Sequence, residues 1–100
     1  MTTKVIFRKE FPENGGQIIA VFPSLAGGNN NPYTSCLCYA HVGQHGAMAI
    51  DFMKLTFPAR TLEYYPLMKE LESIGYNDLQ VAKRFSRKDL QARINQTDGK

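Results

Sequence analysis

The feature that most limits how this chain can fold is a change of hydrophobic periodicity near residue 60. Before it, apolar residues alternate with polar ones or form short continuous runs, which is typical of strands. Beyond Thr61, apolar residues recur every three or four positions, as they do on one face of a helix. Strands followed by helices predict an α+β domain in which the helices pack on one face of a mainly antiparallel sheet.

Four strands are predicted before residue 60. The first carries alternating apolar and charged residues, and the Asn14-Gly15 pair after it is a hairpin signal that leads into a strand with apolar residues on both faces. A long aperiodic loop precedes the third strand, and a glycine-flanked turn separates the third strand from the fourth. The predicted strands cover residues 4–11, 17–22, 35–42 and 47–57, the loop covers residues 23–34, and the turn covers residues 43–46.

Two helices and one further strand are predicted after residue 60. Helical spacing extends to Ile74 and Gly75 ends the helix, whereas Pro66 leaves open whether the helix begins at Thr61 or at Pro66 itself. Ser86 is the predicted N-cap of a short final helix, so the order is ββββ-α-β-α. The fifth strand is predicted over residues 79–85, a single domain over residues 1–95, and a frayed tail over residues 96–100.

The size of the chain limits what it can contain. Its 100 residues include 24 of Leu, Ile, Val and Phe, enough for one hydrophobic core but not for a second, cofactor-binding domain, so no cofactor is predicted. The longest continuous apolar stretch is only six residues, which predicts no transmembrane helix and no membrane partner. Residues 1–4 lack the basic start and apolar run of a signal peptide, which predicts a cytoplasmic protein.

A histidine-containing segment and a nearby tyrosine are the candidates for a ligand-binding site. In the predicted third strand Tyr39 and His41 share one face, and the turn places Gln44 and His45 between two glycines that allow the backbone to approach a ligand. Tyr33 enters the same strand from the preceding loop and would line one cleft with Tyr39 and His41. The alternative is a simple hairpin, capped by Gln44 and His45, that holds no ligand.

Two cysteines lie close to the histidines and raise the question of a metal site. Cys36, Cys38, His41 and His45 fall within ten residues, and each side chain is a possible zinc ligand. A strand, however, projects both cysteines to one face and His41 to the other, and the spacing matches no zinc finger. Buried free thiols and no metal are therefore predicted, and no arrangement of residues predicts a catalytic group.

The C-terminal quarter of the chain concentrates positive charge. Within residues 83–93 the single acidic residue, Asp89, opposes five basic ones, and the local excess of +4 is larger than the net charge of +3 of the whole chain. This density suits contact with the phosphate backbone of a nucleic acid or with another polyanion, and the alternative is a solvated basic face. The candidate polyanion-binding residues are Lys83, Arg84, Arg87, Lys88 and Arg93.

The segment His41-Val42-Gly43-Gln44-His45-Gly46 also carries a resemblance to known proteins. Together with residues 31–34 and 70–76, it resembles a group of small uncharacterised proteins encoded by gut-type bacteria, their phages and mobile elements. The resemblance covers roughly residues 4–93, and the histidine segment is its most specific part. It implies a phage or mobile-element setting but no particular chemistry.

Three kinds of function are compatible with the sequence. The first is a small non-enzymatic binding or accessory protein that contacts a nucleic acid or a host protein through its basic end. The second is a small-ligand or metal-assisted enzyme that uses His41 and His45. The third is a protein-interaction module or homo-oligomer that pairs through an edge strand or through Met53, Leu55 and Phe57.

Overall fold

The computed structural model of the protein describes residues 2–27, 31–40 and 44–98, with the backbone alone for Gln44 and Asp98. Within these ranges the strands are β1 (Thr3–Glu10), β2 (Ile18–Phe22), β3 (Ser35–Ala40), β4 (Gln44–Ala49), β5 (Thr56–Pro58) and β6 (Leu79–Val81). The α-helices are α1 (Thr61–Ser73) and α2 (Arg87–Asp98), and short 3-10 helices cover Pro12–Asn14 and Ile50–Leu55. The predicted α+β class with a mainly antiparallel sheet is confirmed.

β1 lies inside the sheet and has neighbours from distant parts of the chain. The strand order is β4-β3-β2-β1-β5, with antiparallel pairs throughout, and β6 pairs with β1 in parallel. The N–H of Ala82 donates to the carbonyl of Val5, and the N–H of Ala59 donates to the carbonyl of Phe7. Because alternate residues of a strand point their carbonyls to the same side, β5 and β6 share one edge of β1, end to end.

Both faces of the sheet are covered, each by different elements. One face, here called the α1 face, packs against Leu67 and Leu71 of α1. The opposite face packs against the second 3-10 helix and against Phe85. The buried strand residues are Val5, Phe7, Ala20, Phe22 and Tyr39 on the α1 face, and Ile6, Ile19, Val21 and Cys36 on the opposite face.

The two α-helices lie on different faces of the sheet, which corrects the prediction that both pack on one face. Asp89 of α2 forms an ion pair with Lys4, whose side chain leaves β1 on the same side as Ile6, opposite α1. The physical reason is that β1 and β2 carry apolar residues on both sides, so a single helical layer would leave one apolar surface in water. α2 also continues through residues 96–98, where the sequence predicts a frayed tail.

The region after β3 differs most from the prediction. β4 begins at Gln44, inside the predicted turn, and residues 50–55 form a 3-10 helix rather than a continued strand. Ile50 and Met53 lie one 3-10 turn apart, and both pack against the opposite face of the sheet. The apolar residues of this segment therefore fit the spacing of a helix as well as that of a strand. Packing against the sheet determines that the segment is helical.

α1 begins at Thr61 and contains Pro66 in its second turn. Pro66 cannot donate to the carbonyl of Leu62, but Leu62 is 92% exposed, so water can reach the freed carbonyl. At the other end Gly75 adopts a φ of 120°, which ends the helix as predicted. In the described part of the chain, no helix combines the length and apolar character needed to cross a membrane.

Candidate functional site

The predicted histidine site contains an aromatic cluster at one end of β3 and β4. Tyr39 and His45 are direct cross-strand partners, and their rings meet edge to face with centroids 4.9 Å apart. His45 Nε2 lies 2.7 Å from the hydroxyl of Tyr76, whose ring stacks on Phe22. The hydroxyl of Tyr39 donates to Glu70 Oε2 at 2.5 Å. These five residues, Phe22, Tyr39, His45, Glu70 and Tyr76, are called the His45 cluster below.

The surroundings of the two tyrosine hydroxyls in the His45 cluster raise the pKa of both. The hydrogen bond to Glu70, with burial as a second cause, raises the pKa of Tyr39, and burial raises the pKa of Tyr76. Glu70 belongs to α1 and Tyr76 follows its end, so the cluster joins this helix to β3 and β4. Tyr39 is buried, whereas His45 is exposed. The arrangement thus stabilises packing and presents the His45 ring to solvent.

Tyr33 does not join the His45 cluster. It is 63% exposed and lines a separate cavity of about 470 Å³, beside the start of β3 and the end of β4. Tyr39 does not line this cavity and lies instead in the core on the α1 face, so Tyr33 and Tyr39 do not form the predicted common cleft. His41 and the side chain of Gln44 lie outside the described part of the structure.

The two thiols lie on the face of β3 opposite the His45 cluster. Burial raises the pKa of Cys36 to about 12, and burial also raises the pKa of Cys38. His45 projects to the α1 face with Tyr39, so the thiols and this imidazole could share a metal ion only if the strand broke. Across the described ranges, no group of three or more His, Cys, Asp or Glu side chains could hold a metal ion.

We expect Cys36 to react slowly with a disulfide reagent such as DTNB while the protein is folded. A pKa of about 12 leaves a thiolate fraction at about pH 8 that is about 10³-fold below that of a thiol with the ordinary pKa of 9.0. The Cys38→Ala variant isolates Cys36, and its reaction should accelerate by about that factor in guanidinium. The converse variant, Cys36→Ala, reports on Cys38 alone. Equal rates for Cys36 in folded and unfolded protein would contradict its burial.

Four of the five predicted polyanion-binding residues lie close together in sequence, within residues 83–88. Lys83 and Arg84 follow β6, and Arg87 and Lys88 begin α2. All four are exposed, and none of them forms an ion pair with an acidic residue in the described ranges. These four residues are called the cationic surface below.

Asp89, the acidic residue of this segment, is turned away from the cationic surface. Its buried carboxylate accepts hydrogen bonds from Lys4 Nζ at 2.6 Å, from Ser24 Oγ at 2.7 Å and from the N–H of Ser86 at 2.6 Å. Burial alone would raise the pKa of Asp89, but these three hydrogen bonds outweigh burial and hold the pKa below its ordinary value. The carboxylate is therefore ionised, and its charge is compensated inside the fold.

Arg93 is not part of the cationic surface, which corrects the prediction that grouped it with the other four. It is 3% exposed, and its guanidinium donates to the carbonyls of Pro23 at 2.5 Å and Pro32 at 2.8 Å. It also lies over the Phe85 ring, 5.6 Å from the centroid. Because Arg93 and Asp89 are four residues apart, they share the side of α2 that turns inward.

A pocket beside β1 brings together residues that the sequence does not connect. It has a volume of about 350 Å³ and lies between β5 and β6, where Ile6 and Phe7 line it. Arg8, Arg60 and Lys83 also line it, and of these three only Lys83 was a predicted site residue. No local spacing signals this site, because the residues meet only when β5 and β6 pair with β1.

The apolar residues predicted for oligomer formation are partly used inside the protomer. Met53 packs against the opposite face of the sheet. Leu55 and Phe57 are exposed, and the Phe57 ring packs against Phe11 with centroids 4.7 Å apart.

No protein-family model, curated protein or solved structure matches the chain. The function proposed for it rests on the exposed charges and contacts described above.

Proposed function

We propose that the protein is a non-enzymatic binding protein that contacts the phosphate backbone of a nucleic acid duplex through its cationic surface. The observation that carries this proposal is the division of charge within residues 83–93. Four cations are exposed without an ion pair to a described acid, while Asp89 is buried against Lys4. An exposed surface of one sign attracts a partner of the opposite sign across a Debye length, about 8 Å at physiological salt.

The position of two of the cations on α2 supports an anionic partner. Arg87 and Lys88 occupy the first turn of the helix, where the helix macrodipole is positive and a cation is unfavourable. A phosphate group bound between them would turn this repulsion into attraction. The two cations are not required to begin the helix, because Ser86 and Asp89 already exchange hydrogen bonds across its first turn.

The surroundings of the cationic surface favour a duplex over a single strand. Proteins that hold single strands use exposed aromatic side chains on which the bases stack. Phe85, the aromatic residue of this segment, packs instead against the opposite face of the sheet. Contacts to the backbone alone predict binding that depends on salt concentration and little on base sequence.

We propose further that the protein has an accessory role in a phage or mobile element, the setting that the resemblance noted for its histidine segment implies. The neighbouring genes provide an independent check of this setting. Neighbours that encode enzymes of nucleic-acid metabolism would support the proposal, because adjacent genes of mobile elements often share a task.

We expect the protein to bind a short labelled DNA duplex of mixed sequence with strong salt dependence. Four phosphate contacts would lower the affinity by about 10²-fold between about 50 mM and 200 mM salt, since log K falls with a slope of about 0.9 per contact. The Arg87→Gln/Lys88→Gln variant should bind more weakly at low salt and reduce that slope by about two. Fluorescence anisotropy titrations at several salt concentrations measure both quantities.

The matched control is the Lys54→Gln/Lys69→Gln variant, which removes two exposed cations far from α2 in sequence. It lowers the net charge by the same two units as Arg87→Gln/Lys88→Gln. It should nevertheless leave the affinity for the duplex and the slope of its salt dependence unchanged. Equal weakening by both double variants would show that net charge alone drives binding and would contradict the proposal. Binding to heparin with no binding to the duplex would contradict nucleic acid as the partner.

A further inference from the structure

The edge of β1 is covered at both ends and leaves a pocket at its middle. β6 pairs with residues 3–5 of β1 and β5 pairs with residues 8–10, so Ile6 and Phe7 lie between the two short strands. An open pocket with a volume of about 350 Å³ lies here, which is within the range of pockets that bind small molecules. This space is called the β1-edge pocket.

The lining of the β1-edge pocket combines apolar side chains with positive charge. Arg8, Arg60 and Lys83 line it, and none of the lining residues is acidic. The nearest carboxylate along the chain, that of Glu63, accepts hydrogen bonds from Lys9 Nζ at 2.7 Å and from the N–H of Arg60 at 2.9 Å. The other lining residues are Ile6, Phe7, Pro58, Ala59, Thr61, Tyr64, Val81 and Ala82.

Arg8 is a half-buried cation whose hydrogen-bond acceptors are all neutral. Its guanidinium donates to Thr56 Oγ1 at 2.8 Å and to the carbonyls of Met53 and Thr56 at 3.2 Å and 2.7 Å. No carboxylate of the described residues forms an ion pair with it. Withdrawing a cation from water without an opposite charge is unfavourable, so an anion in the adjoining pocket would stabilise this arrangement.

We propose that the β1-edge pocket binds a small organic anion with an apolar body and one carboxylate or phosphate group. The apolar body would pack against Ala59, Tyr64 and Val81. The anionic group would pair with Arg60 and Lys83, which are exposed and can turn toward it. This site goes beyond the proposed nucleic-acid contact, because it takes a different class of ligand and does not need Arg87 or Lys88.

The experiment is a titration of ¹⁵N-labelled protein with octanoate, octyl phosphate, 1-octanol and inorganic phosphate, followed by amide chemical shifts. We expect saturable shifts centred on Phe7, Ala59, Tyr64 and Ala82 with a dissociation constant of about 1 mM or lower for at least one of the two amphiphilic anions. 1-Octanol lacks the anionic group and inorganic phosphate lacks the apolar body. Each should therefore bind at least about fivefold more weakly than the preferred amphiphilic anion. The two anions distinguish a carboxylate from a phosphate ligand.

Three variants separate this pocket from the cationic surface. Arg60→Gln changes an exposed side chain, and Ala59→Leu partly fills the pocket; each should weaken binding of the preferred anion by about three- to fivefold or more. Arg87→Gln should leave this affinity unchanged while it weakens duplex binding. Shifts centred elsewhere, no saturation below about 10 mM, or unchanged affinity in Arg60→Gln would overturn the proposal. Thermal unfolding of each variant verifies that it is folded.

Discussion

Replacing Asp89 with alanine is expected to lower the free energy of unfolding by about 3 kcal/mol. The substitution removes the buried partner of Lys4 together with the acceptor for Ser24 and for the N–H of Ser86. Breaking a buried ion pair leaves the remaining charge uncompensated, although Lys4 is partly exposed and can regain some hydration. Urea denaturation at neutral pH measures the difference.

The same substitution should change how stability depends on pH. The pKa of Asp89 in the folded protein lies below its ordinary value of 3.8, so its ionised form contributes stability that is complete at neutral pH. This contribution is lost as the pH falls below about 4 and through the folded-state pKa, and it should be missing from Asp89→Ala. The matched control, Asp51→Ala, removes an exposed carboxylate 4.0 Å from Lys54 and should leave stability nearly unchanged. Equal stability of Asp89→Ala and the parent protein would contradict the described contacts.

Replacing Arg93 with alanine is expected to lower the free energy of unfolding by about 2–4 kcal/mol. The carbonyls of Pro23 and Pro32 would lose their donor, and Phe85 would lose the guanidinium that covers it. Arg93→Lys should recover only part of the loss, because an ammonium group lacks the planar set of donors that reaches both carbonyls. Calorimetry or urea denaturation provides the measurement.

Arg87→Ala is the control for Arg93→Ala, because it removes an exposed arginine from the same helix. Its free energy of unfolding should stay within about 0.5 kcal/mol of the parent. The effects on binding to a DNA duplex should be reversed. Arg87→Ala should weaken duplex binding because Arg87 belongs to the cationic surface, whereas a folded Arg93 variant should keep it because Arg93 is buried. Loss of duplex binding in a folded Arg93→Lys protein, with full binding in Arg87→Ala, would reverse the assignment of the two residues.

The parts of the fold that follow from local sequence could be predicted. The alternation around Phe7 and the continuous apolar run of residues 18–22 correspond to β1 and β2, and Gly75 ends α1 at a positive φ. Each of these signals acts within a few residues, through side-chain alternation or through the backbone freedom of glycine. They hold in the structure because tertiary packing agrees with them.

Other elements depend on contacts that the local sequence does not contain. Residues 50–55 fit two periodicities, and their 3-10 conformation depends on packing against the opposite face of the sheet. The prediction that α2 packs on the same face as α1 was wrong. The side of the sheet on which α2 lies is shown by the ion pair between Asp89 and Lys4, and the local sequence does not indicate that pair. The β1-edge pocket could not be predicted, since Arg8, Arg60 and Lys83 become neighbours only through strand pairing.

The candidate sites, too, could be predicted only as far as the local sequence determines them, because the burial of their side chains depends on contacts with distant residues. Counting charges identified the basic segment, but the count could not distinguish Arg93, which turns inward, from Arg87, which faces solvent. Strand alternation correctly separated the face of Cys36 from that of Tyr39. It did not indicate that Tyr39 would be buried by α1 and hydrogen-bonded to Glu70, because that depends on where the helix packs.

The attachment of β6 and α2 to β1 has a consequence for the order in which the protein assembles. The hairpin of β1 and β2 closes a short loop, whereas the contact between Lys4 and Asp89 spans 85 residues. Contacts across such distances carry a larger entropic cost, so β6 and α2 should dock after the hairpin and detach before it. Detachment would uncover the backbone of a long interior strand, and association between partly unfolded molecules would begin at that exposed edge.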